Sequence, residues 1–263
     1  MTGASEIRRA AQALLAVLLV GCASGGAQLP PTPVHANGQV LWHIVHDQCT
    51  PDQRDQGDPA PCALVSMVGG EAHGFVVMKD RDGATQYLVM PTAKITGIED
   101  PAVLAPDATN YFAAAWNERH YVDERLGHPL DRARMSVAVN SIYGRSQDQL
   151  HLHLDCLDGS VAAAIAAAKI RQDGRWAPLR LKGHAYRVRW LADDALAAAN
   201  PFKLLAADMP GARKAMGAWT LALVGARGAD GAPGYYLLAD RVDAAAGDWA
   251  SSEELQDHAC RQG

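Results

Sequence analysis

Residues 140–156 read NSIYGRSQDQLHLHLDC and constrain the fold more than any other stretch of the chain. From position 149 to 154, leucine alternates with Gln149, His151 and His153. That period of two is the signature of a strand, whose side chains point alternately to its two faces. Leu150, Leu152 and Leu154 are therefore expected in a core, and Gln149, His151 and His153 on the opposite wall. Asn140, Gly144, Arg145, Ser146 and Gln147 come just before, in a polar loop with one glycine. The fold must expose one face of this strand to a cleft and bury the other.

With 263 residues and 49% apolar content, the chain can build one sizeable core or two small lobes. Its first segment serves another purpose. Arg8 and Arg9 precede an apolar run over residues 10–20, too short for a comfortable membrane span and typical of an export signal. The run closes in Leu19, Val20, Gly21 and Cys22, a sequence that resembles a bacterial lipobox. An uncleaved anchor helix, or cleavage near residues 23–27, is the competing reading. The lipobox resemblance implies residues 1–21 as a signal peptide, Cys22 as an acylated N-terminus and residues 22–37 as a Gly- and Pro-containing tether. An acyl chain gains about 0.8 kcal/mol per buried methylene, so several chains hold a protein at a bilayer. The expected location is the bacterial cell envelope, facing the periplasm, with inner or outer membrane left open.

Without residues 1–21, the 24 basic and 29 acidic side chains fall to 22 and 28, which argues against nucleic acid as a partner. Four cysteines remain beyond Cys22: Cys49, Cys62, Cys156 and Cys260. An even number in an exported chain favours disulfides over zinc, and no CxxC pair is present. Three pairings exist. The expected one joins Cys49 to Cys62 across a polar loop and Cys156 to Cys260, tying the C-terminus to the histidine strand.

The folded domain is expected over residues 38–263. Residues 40–45 lead into a short helix, and residues 74–79 and 86–90 form a hairpin across Asp82 and Gly83, ended by Pro91. Residues 110–126 read as one helix capped by Asn110 and closed by Gly127, with Phe112, Ala115, Trp116, Val122 and Leu126 on its apolar face. A strand at 135–139 feeds the loop and the histidine strand. An alanine-rich helix over 160–169 follows, then strands near 185–191, 220–224 and 235–239, with helical residues between 201 and 216. This pattern predicts an α+β fold. The C-terminal half, 176–260, faintly echoes the histidine-bearing half, 70–158, as a degenerate duplication would, without repeating its motif.

A pair of surface histidines would explain an HxH run on its own. A metal site is a further alternative, because HLHLDC resembles the HxHxDH run of metallo-β-lactamases, with Cys156 replacing a histidine ligand. The loop residues favour other chemistry. Asn140, Arg145, Ser146 and Gln147 supply amide, guanidinium and hydroxyl donors that suit a phosphate. A neutral imidazole, with an ordinary pKa near 6.5, is a competent nucleophile toward phosphorus.

At these residues the chain resembles the histidine triad (HIT) superfamily, whose His-φ-His-φ-His-φ-φ motif follows an Asn and a Gly/Ser loop. The register places Gln149 first, His151 in the middle and His153 last. The resemblance implies His151 as nucleophile toward the α-phosphorus and His153 as a contact to phosphate and leaving-group oxygens. Gln149 departs from the family's histidine and cannot relay a proton. Over residues 40–260 the chain further resembles the bacterial CDP-diacylglycerol diphosphatases, through GFVVMKD, QYLVMPT, ITGIEDP, DRARMSVAVNSIYGRSQ, GHAY, PFKLLA and EELQDHAC. That resemblance implies a HIT-like antiparallel sheet with packed helices and hydrolysis of CDP-diacylglycerol to CMP and phosphatidate, without metal or cofactor. Asn140, Ser146, Gln147 and Gln149 become candidates for phosphate contacts, Arg145 for charge stabilisation, and Lys79 and His184 secondary candidates. The alternatives are another nucleoside diphosphate derivative as substrate, transfer to another acceptor, or a non-enzymatic lipoprotein. Oligomeric state is not legible in the sequence.

Overall fold

The computed structural model describes residues 29–261, so the signal segment, Cys22 and the start of the tether lie outside the described residues. Strands β1 (Leu64–Ser66), β2 (Phe75–Lys79), β3 (Tyr87–Pro91), β4 (Met135–Val139) and β5 (Leu152–Cys156) belong to the first half. The second half contributes β6 (Ala177–Leu181), β7 (His184–Ala192), β8 (Trp219–Arg227) and β9 (Pro233–Arg241). All nine lie in one antiparallel sheet of order β1-β2-β3-β5-β4-β8-β9-β7-β6. This is the α+β class expected from the pattern. The order β2-β3-β5-β4 recurs as β6-β7-β9-β8, and the two runs meet edge to edge at β4 and β8.

Helices cover both faces. On one face, α3 (Tyr111–Asn117) and α6 (Pro201–Asp208) bring Phe112, Trp116, Phe202 and Leu205 onto Val137, Leu152, Leu154, Leu221 and Leu237. On the other face there are two separate covers. The N-terminal helix α1 (Val40–Ile44), with the turn Val45–Cys49 that leads into α2 (Thr50–Gln56), packs Leu41 and Val45 on Val76, Met78, Leu88 and Met90. Helix α5 (Gly159–Ala167) packs Val161 and Ile165 with Ala138, Val188, Ala222 and Leu238. Asp158 caps α5 by accepting the amides of Ser160 and Val161. No helix among the described residues is long and apolar enough to cross a membrane.

Three departures from expectation have local causes. The expected helix over 110–126 is split into α3 and α4 (His120–Leu126). Arg119 falls in the middle of its apolar stripe and turns back, donating to the Trp116 carbonyl at 2.9 Å while stacking over the Trp116 ring. The histidine strand joins the ladder only from Leu152, because the Leu150 amide goes to the Ile95 carbonyl and the Gln149 side chain bonds the end of β3 and the loop just beyond it. The two strands absent from the sequence reading, β1 and β6, are the short edges of the sheet, where Pro178 is tolerated since one side makes no ladder bonds.

Both expected disulfides are present: Cys49 bridges Cys62, and Cys156 bridges Cys260 across 104 residues. The second bridge closes the C-terminal half of the domain into one loop. Replacing both Cys156 and Cys260 by alanine is expected to lower unfolding free energy by about 2–5 kcal/mol, read as a fall in the urea midpoint at unchanged slope.

Candidate active site

Between the α1 cover and the α5 cover, one face of the sheet is left open. His153 lies in that gap, paired across the ladder with Leu88 of the α1 cluster on one side and Ala138 of the α5 cluster on the other. A cavity of about 580 Å³ occupies the gap, with His151 and His153 in its wall. Val40, Leu41, Ile44, Pro61 and Met78 make one side of it apolar. A cavity of this size, with one apolar side and convergent polar and charged groups on the other, suits a small ligand that has both characters.

Each histidine is set by its neighbours. The His151 Nδ1 lies 2.7 Å from the Gln149 carbonyl oxygen. A carbonyl only accepts, so Nδ1 carries the hydrogen and Nε2 keeps its lone pair. Burial holds the His151 pKa below the ordinary histidine value, which keeps the ring neutral near pH 7. The amide of Gln86 reaches the His153 Nδ1 at 2.7 Å and the Glu253 carboxylate at 3.1 Å, using one hydrogen for each. His153 then accepts at Nδ1 and carries its hydrogen on Nε2, a buried donor with no partner in the chain. Burial also lowers the His153 pKa, and the edge-on ring of His151 stands 5.0 Å away.

A third imidazole enters from the C-terminal segment. His258 lines the cavity, with Nδ1 2.8 Å from Asp155 Oδ2 and Nε2 3.6 Å from Glu253 Oε1. Asp155 is fully buried on the same face of β5 as His153 and takes a 2.6 Å bond from the Thr85 hydroxyl. The Asp155 carboxylate raises the His258 pKa above the ordinary value. Glu253 is fastened at its other oxygen by Asn140 Nδ2 at 2.9 Å, and its backbone amide returns to Asn140 Oδ1 at 3.2 Å. Burial opposes its ionisation, but the hydrogen bonds from Gln86 and Asn140 and the charge of His258 outweigh that and hold its carboxyl below the usual range.

Of the residues singled out in the sequence, Asn140, Arg145, Ser146, Gln147, Lys79, His151 and His153 all line this cavity. Their commitments differ from a simple ring of phosphate donors. Arg145 gives one terminal nitrogen to Glu99 at 2.6 Å and the other to Glu99 and Asp148 at 2.7 and 3.1 Å, leaving Nε as its unpartnered donor. Its charge is spent on bracing the loop. Gln147 accepts the Leu41 amide and ties α1 to the loop. Lys79 donates to the carbonyls of Asp80 and Gly83. Gln149 gives both amide hydrogens to the carbonyls of Pro91 and Ala93 at 2.9 Å, so no N–H remains for a phosphate and its action is to pin the strand entry. His184 is elsewhere, in a different cavity beside Asp240 and Asp248.

Gln86, Asp155, Glu253 and His258 were missed in the sequence. Asp155 shares the parity of His151 and His153, and His258 is two residues from the cysteine that bridges to Cys156. Both signals were present.

Comparison with known proteins adds a second line of evidence. Residues 36–263 match the family model described as CDP-diacylglycerol pyrophosphatase. A curated protein of Yersinia pestis named CDP-diacylglycerol pyrophosphatase is 43% identical over 228 residues, covering 86% of this chain and 85% of that one.

The opposed shifts of two histidines make a titration prediction. His258 gains stability in its charged form, a contribution present below about pH 6.5 and lost as pH rises through its raised folded value. His151 is held neutral, so stability falls as pH drops below about 6.5 toward its lowered folded value. Histidine NMR titration should place His258 above His151, and Asp155→Asn should bring His258 down while leaving His151 in place.

Proposed function

The chain belongs to the CDP-diacylglycerol pyrophosphatase family, and from that premise we propose that it hydrolyses CDP-diacylglycerol to CMP and phosphatidate through a cytidylyl-His151 intermediate. The observation that carries this reading is the tautomer of His151. Its Nδ1–H is given to the Gln149 carbonyl, which leaves a nucleophilic Nε2 on a ring in the cavity wall.

In the first step Nε2 of His151 attacks the cytidine-side phosphorus. A P–N bond forms, the bond to the bridging oxygen breaks, and its electron pair leaves on phosphatidate. Protonated His258 neutralises that oxygen by giving up its proton. Water then attacks the same phosphorus, the P–N bond breaks with its electron pair returning to His151, and His258 takes the proton that water loses. His153 donates its unpartnered Nε2–H to a phosphoryl oxygen, where a fixed donor in a dry site stabilises developing charge. Lys79 adds positive charge at the wall, and Asn140, Ser146 and Gln147 bound the phosphate end. Glu253 orients His153, through Gln86, and His258.

The apolar side of the cavity, from Val40 to Met78, suits the diacylglycerol portion of this lipid. Helix α1 directly follows the tether, so acylation of Cys22 would bring that side to a bilayer in the cell envelope. The recurring strand order supports reading the sheet as a HIT-like half and a degenerate copy, over residues 70–158 and 176–260, with the histidines kept in the first.

His151→Ala is expected to cut CMP release by about 10⁴-fold or more, as when a covalent nucleophile is removed from a working set. The pH profile of kcat/KM should be bell-shaped, with an acid limb below about 6.5 for His151 and an alkaline limb above it for His258. His258→Gln should lower the rate and erase the alkaline limb. Release by His151→Ala within tenfold of wild type would sink the covalent reading.

A further inference from the structure

A second polar cluster lies on the same sheet face, outside the catalytic cavity. His184 opens β7, Asp240 lies near the end of β9, and Asp248 follows in the loop beyond. Each offers one ligand atom, and these atoms lie within 4.8 Å of one another. Both aspartates are 4% exposed. Asp240 Oδ1 accepts the Arg241 amide at 2.7 Å, whereas Oδ2 is buried without any partner. The Asp248 Oδ1 accepts the Ala250 amide and stands 3.6 Å from His184 Nδ1. Arg180, Arg187 and Arg241 line the same cavity, yet none of them makes an ion pair with either aspartate among the described residues.

Two buried carboxylates call for a compensating charge, and the His184 imidazole, whose pKa is raised against burial by Glu254, Asp248 and Asp240, carries only part of it. A single proton shared between the carboxylates is one way to supply it. The donor set fits a metal better, because it is already oriented. Glu254 accepts the Nδ1 hydrogen of His184 at 2.8 Å and a 2.8 Å bond from the Tyr186 hydroxyl, which leaves Nε2 as the histidine's ligating atom, held by a carboxylate of the kind that fixes ligating histidines. We propose that His184, Asp240 and Asp248 bind one divalent transition-metal ion of the zinc or manganese class. The imidazole selects this class over calcium or magnesium, which take oxygen ligands. A bound ion would draw the three atoms in to the ~2.0–2.2 Å of such bonds.

The position gives the ion a consequence. The Ser141 amide donates to the Ala250 carbonyl and the Ser141 hydroxyl to that of Trp249, so the segment after Asp248 is sewn to the loop after β4. That segment delivers Glu253 to the catalytic cavity and Glu254 to His184. An ion here would clamp the strap that carries Glu253, independently of the reaction proposed above.

The test is calorimetric titration of the full chain with MnCl₂ and, separately, ZnCl₂, paired with urea unfolding in each ion. Wild type should bind one equivalent saturably, and its urea midpoint should rise with ion concentration. Supporting partners such as Glu254 cost roughly 10–100-fold in affinity when changed. Glu254→Gln should fall in that range, and Asp240→Asn should lose about 100-fold or more. His184→Gln, at a partly exposed position, gives the same reading should Asp240→Asn fail to fold. His151→Ala should bind as wild type does, which separates this site from the catalytic histidines. Absence of saturable binding at millimolar ion would overturn the proposal and leave the shared proton. Unchanged affinity in Asp240→Asn and His184→Gln, or loss confined to His151→Ala, would overturn it equally.

Discussion

Leu152 and Leu154 are fully buried beneath β5, and because side chains alternate along a strand, their burial holds His153 and Asp155 on the other face. Each buried leucine contributes about 1.5–3 kcal/mol. A slip of one residue would exchange the two sets and bury both polar groups in the core. The same parity carries back to Leu150 and His151, although the ladder starts only at Leu152. The face that carries the histidines is thus held by apolar packing on the face away from it.

What the sheet face exposes, the C-terminal segment completes. The disulfide from Cys156 to Cys260 returns the chain to β5, and the Leu157–Gln256 bridge and Gln256, which donates to the His153 carbonyl at 3.0 Å, continue the seam. Along that seam Glu253 meets Asn140 and His153, and His258 meets Asp155. Three imidazoles end in one cavity with different protonation tendencies. Burial keeps His151 and His153 neutral, while Asp155 favours the charged form of His258. A nucleophile, a neutral donor and a proton carrier are the parts that nucleotidyl transfer through histidine requires.

The sequence carried the local half of this arrangement and little of the rest. The alternation at 149–154, the Asn110 cap, the turn at Gly83 and the cysteine pairing each depend on neighbours in the chain or on a short list of choices, and each was legible. The roles of Gln149 and Arg145 were not. Whether an amide faces a ligand or two carbonyls at and just beyond the end of β3, and whether a guanidinium is spent on Glu99, depends on partners 46 to 58 residues away. His184, a secondary candidate for the site, is set by the sheet order in the second half, beside Asp240. Glu253 and His258 were overlooked because only the folded seam brings them within reach of β5, more than a hundred residues earlier.

The covalent intermediate is the central claim, and it can be sought directly. Wild-type protein would be mixed with detergent-dispersed CDP-diacylglycerol in excess EDTA, quenched in base within the first turnovers, digested and analysed by mass spectrometry. The account predicts a cytidylyl group on the peptide containing His151, at that residue, formed before CMP accumulates and absent in His151→Ala. CMP formation with no modified histidine at any quench time, or modification at His153 with His151 untouched, would contradict it.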